Sequence, residues 1–498
     1  MSPAPTLAVV GAGPAGLSAA LAAALRGVRV TLLDSAAQAG GQFYRQPAEA
    51  LGARHPKALH HQWRTWERLR DGLAQQVSAG RVQHMTERHV WFVERVGEVP
   101  EGRDPGNPDG RGPGGSDRRH FAVHALPGPE QEDSVAVYAD AVVLATGGYE
   151  KVLPFPGWTL PGVLTAGGAQ AMLKGGLVLP GRTAVVAGAG PLLMPVAVGL
   201  AAAGAEVAAL VEAAGPSHFA GRSAALAAHP DKLAEGVGYL AQLLRHRVPL
   251  AARHTVVEAH GKDSVEAVTI AALDPAGRVR PGTERRIACD TLAVGHGMLP
   301  HTDLAEGLGC RVDGVNVAVD AEQRTDVPGV WAAGETIGIG GAALSLAEGH
   351  IAGRSAAARL RGAAPDPRTW AAAAKSRTRA RKFAAALAAV YVPPAHWAEQ
   401  LRDDTLVCRC EEVPASAVRE AVEELGATDA RSVKLLTRAG MGWCQGRMCS
   451  AAVAGLAGCE ERSARRPFAR PVPLGVLARA TDEQAPEGGP ADDEQNPS

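Results

Sequence analysis

The chain has 498 residues, 46% of them hydrophobic, which is too long for one core and leads us to expect roughly two to four domains. Fifty-one Lys and Arg balance 52 Asp and Glu to a formal charge of −1, so nothing electrostatic favours nucleic acid or an anionic membrane as partner. No apolar run reaches the roughly 18 residues of a membrane span and no basic segment precedes the first apolar one, so we expect a cytoplasmic protein, not an integral membrane protein, whose seven cysteines are ligands or free thiols.

Residues 6–34 read as strand, tight turn, helix and second strand. Residues 7–10 are apolar and half β-branched, as a strand buried on both faces requires. The turn is Gly11-Ala12-Gly13-Pro14-Ala15-Gly16. In a dinucleotide fingerprint Gly11 permits the turn, Gly13 lets a pyrophosphate approach the backbone, and Gly16 lets helix and strand pack closely. The helix N-terminus, with Pro14 and Ala15 at its start, offers free N–H groups and a positive dipole end to phosphates. Asp34 closes the second strand about twenty residues after the turn, placed for ribose hydroxyls, with Ser35 beside it. The segment Ala39-Gly40-Gly41-Gln42 resembles the glycine-rich stretch after the second strand of two-dinucleotide flavoproteins, which implies FAD at this first site.

Residues 60–76 have helical spacing, with Trp63, Trp66, Leu69 and Leu73 near one face and better suited to core than to a cofactor. Residues 90–93, beginning at Val90, 121–126 and 134–138 are strands of a meander. Residues 97–118, mostly Gly, Pro and charge with almost nothing to bury, read as a solvated loop within it. Residues 140–145 form a buried strand, and Ala145-Thr146-Gly147-Gly148 after it resembles the crossing point between the two nucleotide domains of such flavoproteins.

Residues 185–212 repeat the opening unit. Gly188-Ala189-Gly190-Pro191 matches Gly11-Ala12-Gly13-Pro14, and Glu212 corresponds roughly, within one residue, to Asp34. Leu193 stands where the first unit has Gly16 and is expected to push helix and strand apart. Glu212 favours NAD over NADP at such a site. NAD(H), ATP or a bare scaffold all remain open for the second unit. Residues 325–335 resemble the second flavin motif, in which an acid after glycine reaches the ribityl chain; here these are Gly334 and Glu335, one methylene longer than the usual Asp. A helix over 344–360 then points its N-terminus toward the flavin ring. His296, His301 and His350 lack any fixed geometry in the sequence and read as packed histidines. No C-x2-C pair occurs in either nucleotide unit, which excludes flavin–disulfide chemistry of the thioredoxin-reductase kind.

Four of the seven cysteines fall within 42 residues: Cys408-x-Cys410, then 33 residues, then Cys444-x4-Cys449. Four thiolates suit a tetrahedral zinc or a [2Fe–2S] cluster. Zinc loops favour the tighter C-x2-C spacing, so the wider second loop points to the cluster. Gly440, Gly442 and Gly446 leave backbone N–H groups free for its sulfurs. Cys289, Cys310 and Cys459 are isolated.

The motifs VCRCEEV and GMGWCQGRMC resemble the bacterioferritin-associated type of ferredoxin-like (BFD-like) domain. With PFPGWTLPGVLTAGGAQAMLK and GAGPLLMPVA, the chain resembles the alpha (A) subunits of FAD/[2Fe-2S] amine dehydrogenases, the group of opine oxidase, hydrogen cyanide synthase, D-hydroxyproline dehydrogenase and dye-linked L-proline dehydrogenase. The resemblance implies an α/β fold: a two-dinucleotide-binding-domain flavoprotein with a small α-rich C-terminal [2Fe-2S] domain. The expected division is 1–155 plus 290–365 for FAD, 156–289 for the second nucleotide, 366–400 as helical linker, 401–462 for the cluster, and 463–498 as extension and disordered tail. It further implies a hetero-oligomer: a beta subunit related to D-amino-acid and sarcosine oxidases oxidises the amine, and electrons pass through the cluster to the FAD of this chain and on to an unnamed acceptor. On that reading no residue here is a substrate base.

Overall fold

The computed structural model describes residues 4–60, 62–97, 120–220, 229–462 and 466–482. The loop expected at 97–118 falls, except for Gly97, outside them, as does the tail from 483 onward.

The opening strand, Thr6–Val10, lies in the middle of a five-stranded parallel sheet. Arg29–Leu33 and then Val82–Met85 run on one side of it, and Ala141–Leu144 and then Val330–Ala332 on the other. Leu7, Ala8 and Val9 are fully buried, which is why the strand shows no apolar–polar alternation. The helix Pro14–Ala24 covers one face together with Ala342–Leu360. These two helices touch backbone to backbone. A Cβ on Gly349 would lie 2.0 Å from the Ala15 carbonyl oxygen, and one on Gly353 would lie 2.2 Å from that of Ala19. Trp66 and Leu73 of the helix Trp63–Ser78 complete this core, with Trp63 and Leu69 packed at its edge and Trp66 stacked on the buried Tyr44 at 5.6 Å. An antiparallel meander, Arg88–Arg95, Phe121–Pro127 and Val135–Ala139, lies across the other face.

A second five-stranded parallel sheet repeats the plan. Its spatial order is Leu250–Ala252, Glu206–Glu212, Thr183–Gly188, Thr291–Gly295, Val163–Thr165. Thr291–Gly295 thus belongs here, and the second unit runs to about 295 rather than to 289. The apolar run 287–300 is equally suited to either sheet. Pairing with Thr183–Gly188 decides it, and the chain returns to the flavin unit only through the two-stranded link Met298–Pro300 with Gly148–Glu150.

Past the flavin helix, the 20-residue helix Ala371–Val390 spans both units. Its Arg381 pairs at 2.9 Å with the buried Glu348 of the flavin unit, and its Phe383 meets His229 of the second at 4.7 Å. The cysteine-bearing region has a core of its own, built from Val407, Val413, Val418, Val433 and Val453. It contains one short hairpin, Leu406–Cys408 with Val413–Pro414, and the helices Ala415–Glu423, Ala430–Thr437 and Ser450–Leu456. Asp429 caps the second of these, accepting the Ser432 N–H at 2.7 Å. The extension folds back onto the meander, with Phe468 against Trp91 at 5.1 Å and Val476 buried beside Leu126. No described helix is long and apolar enough to cross a membrane.

Candidate functional site

Both nucleotide-type turns open into one continuous cavity of about 2840 Å³. At its first end the wall is bare backbone. Gly11 adopts φ +103°, and a Cβ there would lie 2.2 Å from the Ala145 carbonyl oxygen, so the turn runs directly against the crossing point. Gly13 faces Gly41 so closely that a Cβ on Gly41 would come within 2.7 Å of the Gly13 Cα. Only glycine leaves such a cradle open to a phosphate chain. The Asp34 carboxylate is fixed by N–H bonds from Ala12 at 2.5 Å and Ala36 at 2.7 Å. Burial pushes its pKa up, against those two bonds.

Pro14, Ala15, Ser35, Gln42, Val90, Ala145, Thr146, Gly147 and Glu335 line the same cavity, as do Gly190 and Glu212 at its far end. Gly16, Gly188 and Gly334 serve packing instead. A Cβ on Gly16 would lie 1.7 Å from the Gly11 carbonyl oxygen, one on Gly188 would lie 1.9 Å from that of Gly295, and one on Gly334 would lie 2.7 Å from the Ala15 Cβ. Gly334 also donates its N–H to Glu348 at 3.0 Å. Thr146 Oγ1 donates to the His301 carbonyl at 2.6 Å, and the Gly147 N–H donates to Thr336 Oγ1 at 3.0 Å. Burial pushes the Glu335 pKa up, opposed by the Gly341 N–H.

The second end copies the first with one fault. Glu212 accepts the Ala214 N–H at 2.9 Å and faces that of Gly190 at 3.4 Å, as Asp34 does Ala36 and Ala12. Leu193 is buried against Gly295, where a Cβ would touch its side chain at 3.1 Å. The helix begins only at Leu193, whereas its counterpart begins at Pro14, the position matched by Pro191. Leu192, just before it, already has helical backbone angles. Burial pushes Glu212 up to about 7.

The two cysteine loops converge. Cys408, Cys410 and Cys444 all lie close enough to Cys449 to act on its thiol, so the two loops bring their four sulfurs to one place. The Gly440 N–H points at the Cys408 sulfur at 3.5 Å, and a Cβ on Gly442 would lie 2.3 Å from that of Cys410. Burial, then the Cys408 sulfur, pushes the Cys449 thiol up. Among the described residues no group of three or more His, Cys, Asp or Glu side chains is already arranged to hold a metal ion. Four thiols from two glycine-lined loops are the donor set that a [2Fe–2S] centre takes. Cys289 and Cys310 are buried away from this set. The cluster loop enters the large cavity: Trp443, Cys444 and Arg447 line it together with Gly11, Asp34 and Glu335.

Sequence reasoning passed over Asp303, Arg447 and Arg466, which join the flavin unit, the cluster loop and the extension. These contacts span 144 and 163 residues, and the only local sign of them is an arginine two positions before Cys449. His301, read as a packed histidine, lies beside Asp303 at 3.3 Å. His296 is half-buried and pushed down to about 4, first by desolvation and then by Lys151.

Two parallel nucleotide sheets sharing a cavity with a four-thiol domain define a flavoprotein oxidoreductase of the two-dinucleotide class. The family model described as pyridine nucleotide-disulphide oxidoreductase matches residues 5–374, and the BFD-like [2Fe-2S] binding domain matches 406–457. The chain belongs to this family and is an FAD-dependent oxidoreductase. It is 34% identical over 453 residues to the HcnB subunit of hydrogen cyanide synthase from Pseudomonas protegens, covering 89% of each chain. It is 33% identical over 472 residues to an opine oxidase subunit from Agrobacterium tumefaciens, covering 92% of this chain and 86% of that one. Among solved structures it is similar to L-proline dehydrogenase from P. horikoshii, with a TM-score of 0.64 at 20% identity over 96% of this chain and 81% of that one.

Proposed function

We propose that the chain is the electron-transferring subunit of a heteromeric dehydrogenase for an amino acid or other secondary amine. A partner flavoprotein related to D-amino-acid and sarcosine oxidases takes the substrate's electrons, and this chain passes them from its thiolate cluster to its flavin. The observation that carries the reading is that Cys444 and its neighbours wall the same cavity as the flavin cradle. Gly11, Gly13, Gly41 and Asp34 would hold the adenosine diphosphate half of FAD, and Glu335 the ribityl chain; Cys408, Cys410, Cys444 and Cys449 would hold the cluster. When bound, the flavin supplies two-electron chemistry and the cluster one-electron chemistry, and the protein supplies placement and tuning. Relatives named as subunits of opine oxidase and hydrogen cyanide synthase support a hetero-oligomer, and the absence of a spanning helix among the described residues is compatible with the cytoplasm.

A second reading is a self-sufficient NAD(P)H reductase, favoured by the way Glu212 repeats the Asp34 arrangement. Leu193, which stands in the place of the fingerprint glycine and packs against Gly295, counts against it. The test is purification from the native cell with mass spectrometry of co-purifying chains, followed by anaerobic addition of NADH to the isolated chain. An amine-oxidising flavoprotein partner and no flavin bleaching by NADH support the proposal. Rapid bleaching by NADH with no partner selects the second reading.

A further inference from the structure

The cluster loop is not simply laid against the flavin unit. Asp303 begins the one-turn helix Asp303–Gly307 of that unit, and its side chain is 2% exposed. Its Oδ1 accepts from Arg466 Nη1 at 2.7 Å, and its Oδ2 accepts from Arg447 Nη2 at 3.1 Å. Both arginines then turn to the cluster loop. Arg447 Nη1 donates to the Cys444 carbonyl at 3.2 Å, and Arg466 Nε donates to the Gln445 carbonyl at 2.7 Å. Arg447 Nη2 also holds the Ala469 carbonyl of the extension at 2.6 Å. On its other side Asp303 Oδ2 meets His301 Nε2 at 3.3 Å. The His301 backbone donates to the Gly147 carbonyl at 2.9 Å and accepts from Thr146 Oγ1 at 2.6 Å. An unbroken polar path thus runs from the residue next to one cluster thiol to the crossing point beside the flavin cradle.

We propose that Asp303 is the positioning residue that seats the cysteine loop 444–449 against the flavin cradle, acting through Arg447 and Arg466. This rests on the electron-transfer reading for its purpose but not for its geometry. One carboxylate faces two guanidinium groups, and both are largely buried, with side-chain exposures of 15% for Arg447 and 8% for Arg466. Two cations on one anion, held in low dielectric beside a centre of four thiolates, favour the more negative, reduced form of that centre. Charge-assisted bonds in a buried cluster also hold geometry, since each partner is costly to leave unpaired. The device therefore sets both the distance and the potential of the cluster.

The test uses the full chain with Asp303→Asn, Arg447→Gln and the conservative Asp303→Glu. Three readouts apply: hydrogen exchange of residues 441–449 in the metal-free chain, the cluster midpoint potential, and the rate of electron equilibration between cluster and flavin after one-electron photoreduction. In the metal-free chain both Asp303→Asn and Arg447→Gln should speed exchange in that loop while leaving the helix Pro14–Ala24 protected. In the loaded chain the potential should rise in Asp303→Asn and fall in Arg447→Gln, because one removes an anion and the other a cation. Equilibration should slow several-fold in both, since electron transfer weakens with each ångström added between the centres, and recover in Asp303→Glu. If Asp303→Asn does not retain iron, Arg447→Gln, which leaves the Asp303–Arg466 pair intact, carries the decision. Unchanged loop exchange, or potentials that do not move in opposite directions, overturn the proposal. Absence of any equilibration in the unaltered chain overturns the electron-transfer reading instead, while the exchange result still stands on the seating role.

Discussion

Gly349→Ala tests how the flavin cradle is built. The substitution adds a methyl group to a helix that gains about 1 kcal/mol from alanine over glycine when the site is open. Here the site is closed: the new Cβ would lie 2.0 Å from the Ala15 oxygen and 2.8 Å from its carbonyl carbon. Both are backbone atoms, so no side chain can swing aside, and the two helices must separate by roughly an ångström. Overpacking of this kind costs about 1–3 kcal/mol, and contact with rigid backbone places it at the upper end. The expected net loss is about 2 kcal/mol. Helix Pro14–Ala24 begins at the Gly13 cradle, so the loss should appear as FAD affinity weakened by about 30-fold. Urea unfolding followed by flavin fluorescence, with equilibrium dialysis for FAD, measures both. Gly238→Ala is the control: that glycine lies in the helix Pro230–Arg245 with nothing within 4 Å of its added Cβ. It should stabilise its unit by about 0.5–1 kcal/mol. If Gly349→Ala stabilises as Gly238→Ala does, the close packing of the two flavin helices is wrong.

Three further outcomes follow from the site. Cys444→Ser should lose iron, measured by plasma emission, and keep stoichiometric FAD, because the cysteine domain has its own core; concurrent flavin loss would contradict that division. Asp34→Ala frees the two N–H groups that the carboxylate holds and should weaken FAD binding by about 2–3 kcal/mol, read by calorimetry; unchanged affinity would contradict the cradle. Glu212 titrates near 7 in the folded chain against 4.5 ordinarily, so the native state favours its protonated form. Its contribution to stability is complete below pH 4.5 and fades as pH rises through 7, a difference of about 3 kcal/mol at most. Glu212→Gln should therefore flatten thermal stability between pH 5 and 8 and gain most at the alkaline end; a slope equal to the parent's would contradict the burial of this acid.

The opening unit was legible because its rules are local. Gly11, Gly13 and Asp34 act within about 25 residues of each other, and their spacing dictates where backbone and carboxylate meet. The cysteines were legible as a set from their spacing, but not how the loop from Cys444 folds back over Cys408 and Cys410. The strand Thr291–Gly295 was placed with the flavin unit because five buried residues suit either sheet, and hydrogen bonds to Thr183–Gly188 and Val163–Thr165 distinguish them. Leu193 in the glycine position marked the second unit as a departure from the fingerprint, but that it packs against Gly295 depends on a strand about 100 residues away. Asp303 was invisible, since an aspartate before an apolar turn looks like any helix start until Arg447 and Arg466 arrive from elsewhere.

The most direct measurement is an anaerobic one on the intact assembly and on this chain alone. Freeze-quenched electron paramagnetic resonance and flavin absorbance are followed after addition of candidate secondary amines, and separately after NADH. The account predicts two iron atoms and one FAD per chain, reduction of both centres by an amine only when the partner is present, and no response to NADH. Zinc in place of iron, or amine-driven reduction of the isolated chain, contradicts it.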